Sequence, residues 1–183
     1  MALVNPVIIQ IVGFQNSGKT TFISKIIQKL KEQGIKSATI KHHGHGGKPD
    51  LLAEKDSEKH IAAGAIATLV EGDGRLILQC ENNLNELDHQ IALLSFFQPD
   101  VILIEGHKQK DYPKLVMIRN NHDLPLLQLT NIKAVICWED TEIYKTDISV
   151  TPLFSIHDEA VINWTIDFLQ TSISENIRKQ KNR

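Results

Sequence analysis

With 183 residues, 42% of them hydrophobic and 23% charged, the chain has the make-up of one globular domain, 1–183, large enough for a full hydrophobic core. A formal net charge of −2 gives no global basic field for nucleic acid, and no apolar run reaches the roughly 20 residues that cross a bilayer. Cys80 and Cys137 stand far apart without C-x-x-C partners, and no basic segment precedes an apolar one at the N-terminus. Together these features indicate reduced thiols, no signal peptide and a cytoplasmic setting.

The run Val7 to Val12 is short, apolar and β-rich, as a buried parallel strand is. Gly13 to Thr20 follows as GFQNSGKT, with a second threonine at Thr21, and matches the phosphate-binding pattern G-x-x-x-x-G-K-[ST]. Phe22, Ile23, Ile26, Ile27 and Leu30 then recur at helical spacing, and Gly34 marks the helix end. Strand, glycine loop and helix is the order phosphate binding demands. The backbone N–H groups of Gly13, Gln15, Asn16, Ser17 and Gly18 converge on one anion, and the helix N-terminus adds its dipole. Lys19 is placed to reach the β- and γ-phosphates, and the Thr20 hydroxyl to hold Mg²⁺.

Lys36 to Lys41 reads as a second strand, parallel to the first and opening on the same sheet edge. Lys41, His42 and His43 stand at that edge as donors for an acidic group, and three histidines within His42 to His45 also admit a metal site. Asp56 to Ala65 reads as a short helix. Asp56 is there either an N-cap carboxylate or a residue that positions Mg²⁺ or water. Ile66 to Glu71 and Arg75 to Cys80 form a hairpin around a three-residue loop, Gly72-Asp73-Gly74, and imply an antiparallel part of a mixed sheet.

A helix carrying Leu84, Leu87, Ile91 and Leu94 closes at Phe96-Phe97 and Pro99. Val101 to Ile104 is the apolar strand whose following acid, Glu105, either completes a Mg²⁺ site, through a water or by orienting the attacking one, or merely caps the strand. Gly106 admits a close backbone approach to phosphate. Further strands are expected at Lys114 to Arg119, Lys133 to Trp138 and Thr151 to Ile156. A last helix bearing Ile162, Ile166, Leu169, Ile173 and Ile177 frays into a basic tail, 178–183. His60, His89, His107, His122 and His157 look isolated. No N-K-x-D tetrapeptide is present, and Asp140 is either a base-contacting carboxylate or part of a strand-end turn. The whole reads as a three-layer α/β domain with a mostly parallel central sheet and an antiparallel β-hairpin.

The chain resembles the molybdopterin-guanine dinucleotide biosynthesis protein B family. The resemblance rests on Gly13 to Thr21, Ile40-Lys41-His42-His43-Gly44-His45-Gly46, Lys55-Asp56-Ser57, Glu71-Gly72-Asp73-Gly74 and Leu103-Ile104-Glu105-Gly106-His107-Lys108 with Pro113-Lys114 and Arg119. It implies a P-loop GTPase that is Mg²⁺-dependent, weakly hydrolytic and dimeric. Its partner would be a molybdenum cofactor guanylyltransferase that joins GMP to molybdopterin. By the same resemblance, GTP is the nucleotide, and Lys41, His42, His43 and Lys108 form a second anionic site suited to molybdopterin. Two other readings remain open: an ATP-using small-molecule kinase, and a non-catalytic nucleotide-dependent switch.

Overall fold

The computed structural model describes residues 5–42, 56–81, 86–138 and 151–182. Six strands form one sheet: β1 (Val7–Val12), β2 (Ser37–Lys41), β5 (Val101–Glu105), β6 (Lys114–Ile118), β7 (Ile132–Cys137) and β8 (Leu153–Ser155). Their order is β2-β5-β1-β6-β7-β8, and every neighbouring pair is parallel. All six carboxyl ends therefore open on one edge, and β1 lies centrally there with β5 and β6 at its sides.

Alternation along the strands divides the core into two faces. On one, α1 (Lys19–Glu32) buries Phe22, Ile23, Ile26 and Leu30, and α4 (Ala160–Lys181) buries Val161, Ile166 and Leu169. They pack on Ile9, Ile11, Leu103, Leu115, Met117 and Ile136. On the other, Leu87 of α3 (Leu87–Ser95) meets Ile40, Ile102 and Ile104. Leu126, on a 3-10 helix at Asn121–Gln128, meets Val12, Val116, Ile118 and Val135. The result is a three-layer P-loop NTPase-like fold. Among the described residues no helix is long and apolar enough to cross a membrane.

The end of α1 shows how local chemistry sets a boundary. The Ile35 N–H donates to the Leu30 carbonyl and the Gly34 N–H to that of Lys31, the crossed pair of a Schellman ending. After α2 (Asp56–Ala62), the hairpin strands β3 (Ala67–Gly72) and β4 (Arg75–Cys80) form a separate two-stranded sheet. The hairpin does not enter the central sheet as its antiparallel part. Its loop is also shorter than the sequence suggests. Gly72 pairs with Arg75, and Asp73 and Gly74 take φ of 48° and 74°, the two-residue type I′ turn that suits the strand twist.

Two further expectations change. The basic segment expected to fray stays helical through Lys181. Its Arg178, Lys179 and Lys181 are good helix formers, and as cations they complement the dipole at a helix C-terminus. The 3-10 helix has no counterpart in the sequence reading, because Pro125 within it disguises the pattern.

Candidate functional site

The phosphate loop leaves β1 at Gly13, where no side chain fits. A Cβ there would lie 2.4 Å from Ser17 Oγ and 3.0 Å from the Met117 carbonyl oxygen. The loop thus winds tightly over the end of β6 and delivers the chain into α1. Gly18 caps that helix, with no side-chain hydrogen bond at the cap and no acid in the first turn. A helix start of this kind, with N–H groups left free by the cap, suits an anion. The Trp138 indole N–H donates to the Ser17 carbonyl at 3.2 Å and braces the loop from the end of β7.

The sheet register assembles the rest. Glu105 is paired with Ile11 on one side and Lys41 on the other. Folding of β5 between β1 and β2 therefore brings an acid, a lysine and the phosphate loop together from three distant stretches. The Thr20 hydroxyl lies 3.1 and 3.0 Å from the two Glu105 carboxylate oxygens. Lys41 Nζ is 3.4 Å from Thr20 Oγ1 and 3.8 Å from Glu105 Oε1. A hydroxyl facing a carboxylate is the hard-oxygen donor set that suits Mg²⁺. Lys19 bends back on its own loop and donates to the Phe14 carbonyl at 2.5 Å and to Ser17 Oγ at 3.3 Å. Burial lowers its pKa, and Lys108 and Lys41 lower it further, while Glu105 and Asp123 oppose them. A cation so placed gains from an incoming phosphate.

Beyond Glu105 the chain turns through two left-handed residues, Gly106 at φ 97° and His107 at φ 52°. A Cβ at Gly106 would approach the Cβ of His42 to 3.1 Å. Gln10, fully buried in β1, fastens this turn. Its Nε2 donates to the Gly106 carbonyl at 3.2 Å and to that of His107 at 2.7 Å. The Gly106 N–H in turn donates to the Ile11 carbonyl. Gln10 was missed in the sequence, although a lone amide inside VIIQIV is a signal, because buried polar groups need partners.

Of the expected grouping of Lys41, His42, His43 and Lys108, His43 lies outside the described residues, and each of the other three has its own near neighbour. Lys41 joins Thr20 and Glu105, and Lys108 lies over the Phe14 ring, its ammonium 3.8 Å from the centroid. His42 instead faces His107, with ring centroids 4.6 Å apart, so His107 is not isolated. Burial, then His42 and Lys110, hold the His107 imidazole below its ordinary pKa. Asp123, buried in the 3-10 helix, accepts from the Arg119 N–H at 2.7 Å and acts electrostatically on Lys19 and Lys108. Among the described residues no group of three or more His, Cys, Asp or Glu could hold a metal ion.

His43 and Asp140 lie outside the described residues, as does the side chain of Asp56 at the start of α2. A cavity of about 460 Å³ runs from Gly18 and Thr21 between α1 and α4 to Trp138, Ile156 and His157. His157 meets the Trp138 ring edge-on, 5.8 Å between centroids, and so is not isolated either. Nothing in the spacing of these residues revealed the cavity, since β7, β8 and α1 converge only through the sheet order.

A profile of the family described as molybdopterin guanine dinucleotide synthesis protein B matches residues 8–138. The probable molybdopterin-guanine dinucleotide biosynthesis adapter protein of Bacillus subtilis is 44% identical over 172 residues, covering 93% of this chain and 98% of that protein. The crystal structure of Bacillus subtilis MobB superposes with a TM-score of 0.76 at 39% identity, over 88% of this chain and 96% of that one. A MobB homologue from Bacillus stearothermophilus gives a TM-score of 0.72 at 35% identity, over 90% and 98%. The matched span holds the phosphate loop, Lys41, Glu105 and the Gln10-fastened turn, and on sequence and structure alike the chain belongs to the molybdopterin guanine dinucleotide synthesis protein B family.

Proposed function

We propose that this chain is a GTP-binding adapter with weak Mg²⁺-dependent GTPase activity. It would assist a guanylyltransferase partner in attaching GMP to molybdopterin. The contact of Thr20 with both Glu105 oxygens carries this reading. The phosphates lie over Gly13 to Thr20, and Lys19 leaves the Phe14 carbonyl to meet them. Thr20 and Glu105 would hold Mg²⁺, which when bound would neutralise charge developing on the phosphates. Glu105 also orients the attacking water.

The cavity beside Gly18 and Trp138 supports a place for the nucleoside. Guanine preference rests on family membership, and Asp140 is assigned to the base. Asp56 positions Mg²⁺ or water from the helix that it opens. His42 and His43 bind the molybdopterin phosphate at the end of β2, where His42 has His107 as its neighbour. A second copy of the chain covers the hairpin. Leu69, Leu76 and Leu78 are exposed on one face and Val70 and Ile77 on the other.

Calorimetric titration of the protein in Mg²⁺ with GTP and with ATP, repeated on Lys19→Ala, tests the nucleotide reading. GTP should bind, ATP should bind far more weakly, and the variant should bind neither. Preference for ATP would bring the kinase reading forward. Unchanged GTP affinity in Lys19→Ala would remove the phosphate loop from the site.

A further inference from the structure

The turn after β5 does more than end a strand. Its two left-handed residues reverse the chain, so that Lys108 comes back over the phosphate loop. Gln10 pins both carbonyls of the turn from inside the sheet, which fixes where Lys108 starts. The ammonium then rests on Phe14, a loop side chain 44% exposed, at 3.8 Å. A cation on one face of an exposed ring is partly stripped of water. That hold is weak compared with a charge-assisted hydrogen bond to phosphate.

The position of the carboxylate gives the direction. Thr20 and Glu105 would hold a cation that supplies positive charge to the terminal phosphates. The residue three places after Glu105, turned back toward the loop, therefore stands on the terminal-phosphate side. Lys19, Lys41 and Lys108 gather around this spot against the carboxylates of Glu105 and Asp123, which leaves an excess of positive charge for one more anion.

We propose that Lys108 is a second phosphate-contacting lysine, which leaves the Phe14 ring to bind the terminal phosphate and so makes the site discriminate nucleoside triphosphate from diphosphate. The proposal rests on the nucleotide reading given above. It separates Lys108 from the anionic site of His42 and makes the Gln10-fastened turn the part that senses the nucleotide state.

The test is titration of wild type, Lys108→Ala and Lys108→Arg with Mg²⁺–GTP and Mg²⁺–GDP, with thermal melting of each variant as a folding control. Loss of one charge-assisted contact corresponds to a fall of about 10- to 100-fold in GTP affinity. Lys108→Ala should show that fall and keep its GDP affinity, and Lys108→Arg should recover most of the GTP binding. Equal losses for both nucleotides, or none for either, in a folded Lys108→Ala would overturn the proposal and leave the nucleotide site standing. Failure of the wild type to bind either nucleotide would overturn both.

Discussion

Replacing Gln10 with methionine asks what one buried amide contributes, because the side chain keeps its length and loses its donors. The Gly106 carbonyl loses a donor at 3.2 Å and the His107 carbonyl one at 2.7 Å. The His107 oxygen still accepts from the Lys110 N–H at 2.9 Å, so the Gly106 oxygen bears most of the cost. A carbonyl deprived of its partner costs about 1–3 kcal/mol, and a lost bond whose acceptor stays satisfied about 1 kcal/mol. Against this, Gln10 Oε1 is itself buried without a partner, and removing it returns about 1 kcal/mol. The net is a destabilisation of about 2 kcal/mol, which in a domain of this size lowers the melting temperature by about 4–8 °C. Differential scanning calorimetry measures this directly. Hydrogen exchange at the Gly106 N–H, which bonds to the Ile11 carbonyl, should speed up more than at the β1 amides. A Gln10→Met protein that melts at or above the wild-type temperature would refute the reasoning. The orphaned oxygen would then outweigh the two bonds, and the turn would be held by its backbone alone.

Two other outcomes follow from the same structure. Ile77→Glu places a charge on an exposed apolar face of the hairpin, and Val70 is its cross-strand neighbour. Light scattering should show a dimeric wild type and a monomeric, folded variant, and a dimer in both would move the interface elsewhere. His107 has a pKa depressed first by burial, then by His42 and Lys110. The unfolded chain therefore takes up the proton first as pH falls. The stability tied to neutral His107 is full above about pH 6.5 and is lost as pH drops through the folded value. His107→Asn, which tolerates the left-handed backbone, should flatten that part of the urea-midpoint profile. An unchanged slope would assign the effect to another group.

Much of this protein was decided locally. The order of β1, phosphate loop and α1 follows from five apolar residues, two glycines and a helical stripe, each of which acts through its neighbours in the chain. Glu105 announces itself as a charge after four buried positions, and the hairpin by Asp73-Gly74, whose left-handed preference closes two strands. What the chain order did not contain is which stretches meet. Lys41 faces Thr20 because β5 lies between β1 and β2 and its register pairs Glu105 with both Ile11 and Lys41. Lys108 reaches Phe14 because two residues take positive φ and a glutamine 97 positions before His107 holds that turn in place. The hairpin stands clear of the central sheet although its sequence reads as an ordinary pair of strands. Periodicity and turn chemistry act over a few residues and so are written in the sequence. Sheet order, register and the partners of buried polar groups are set by packing across the whole domain, and only the tertiary structure decides them.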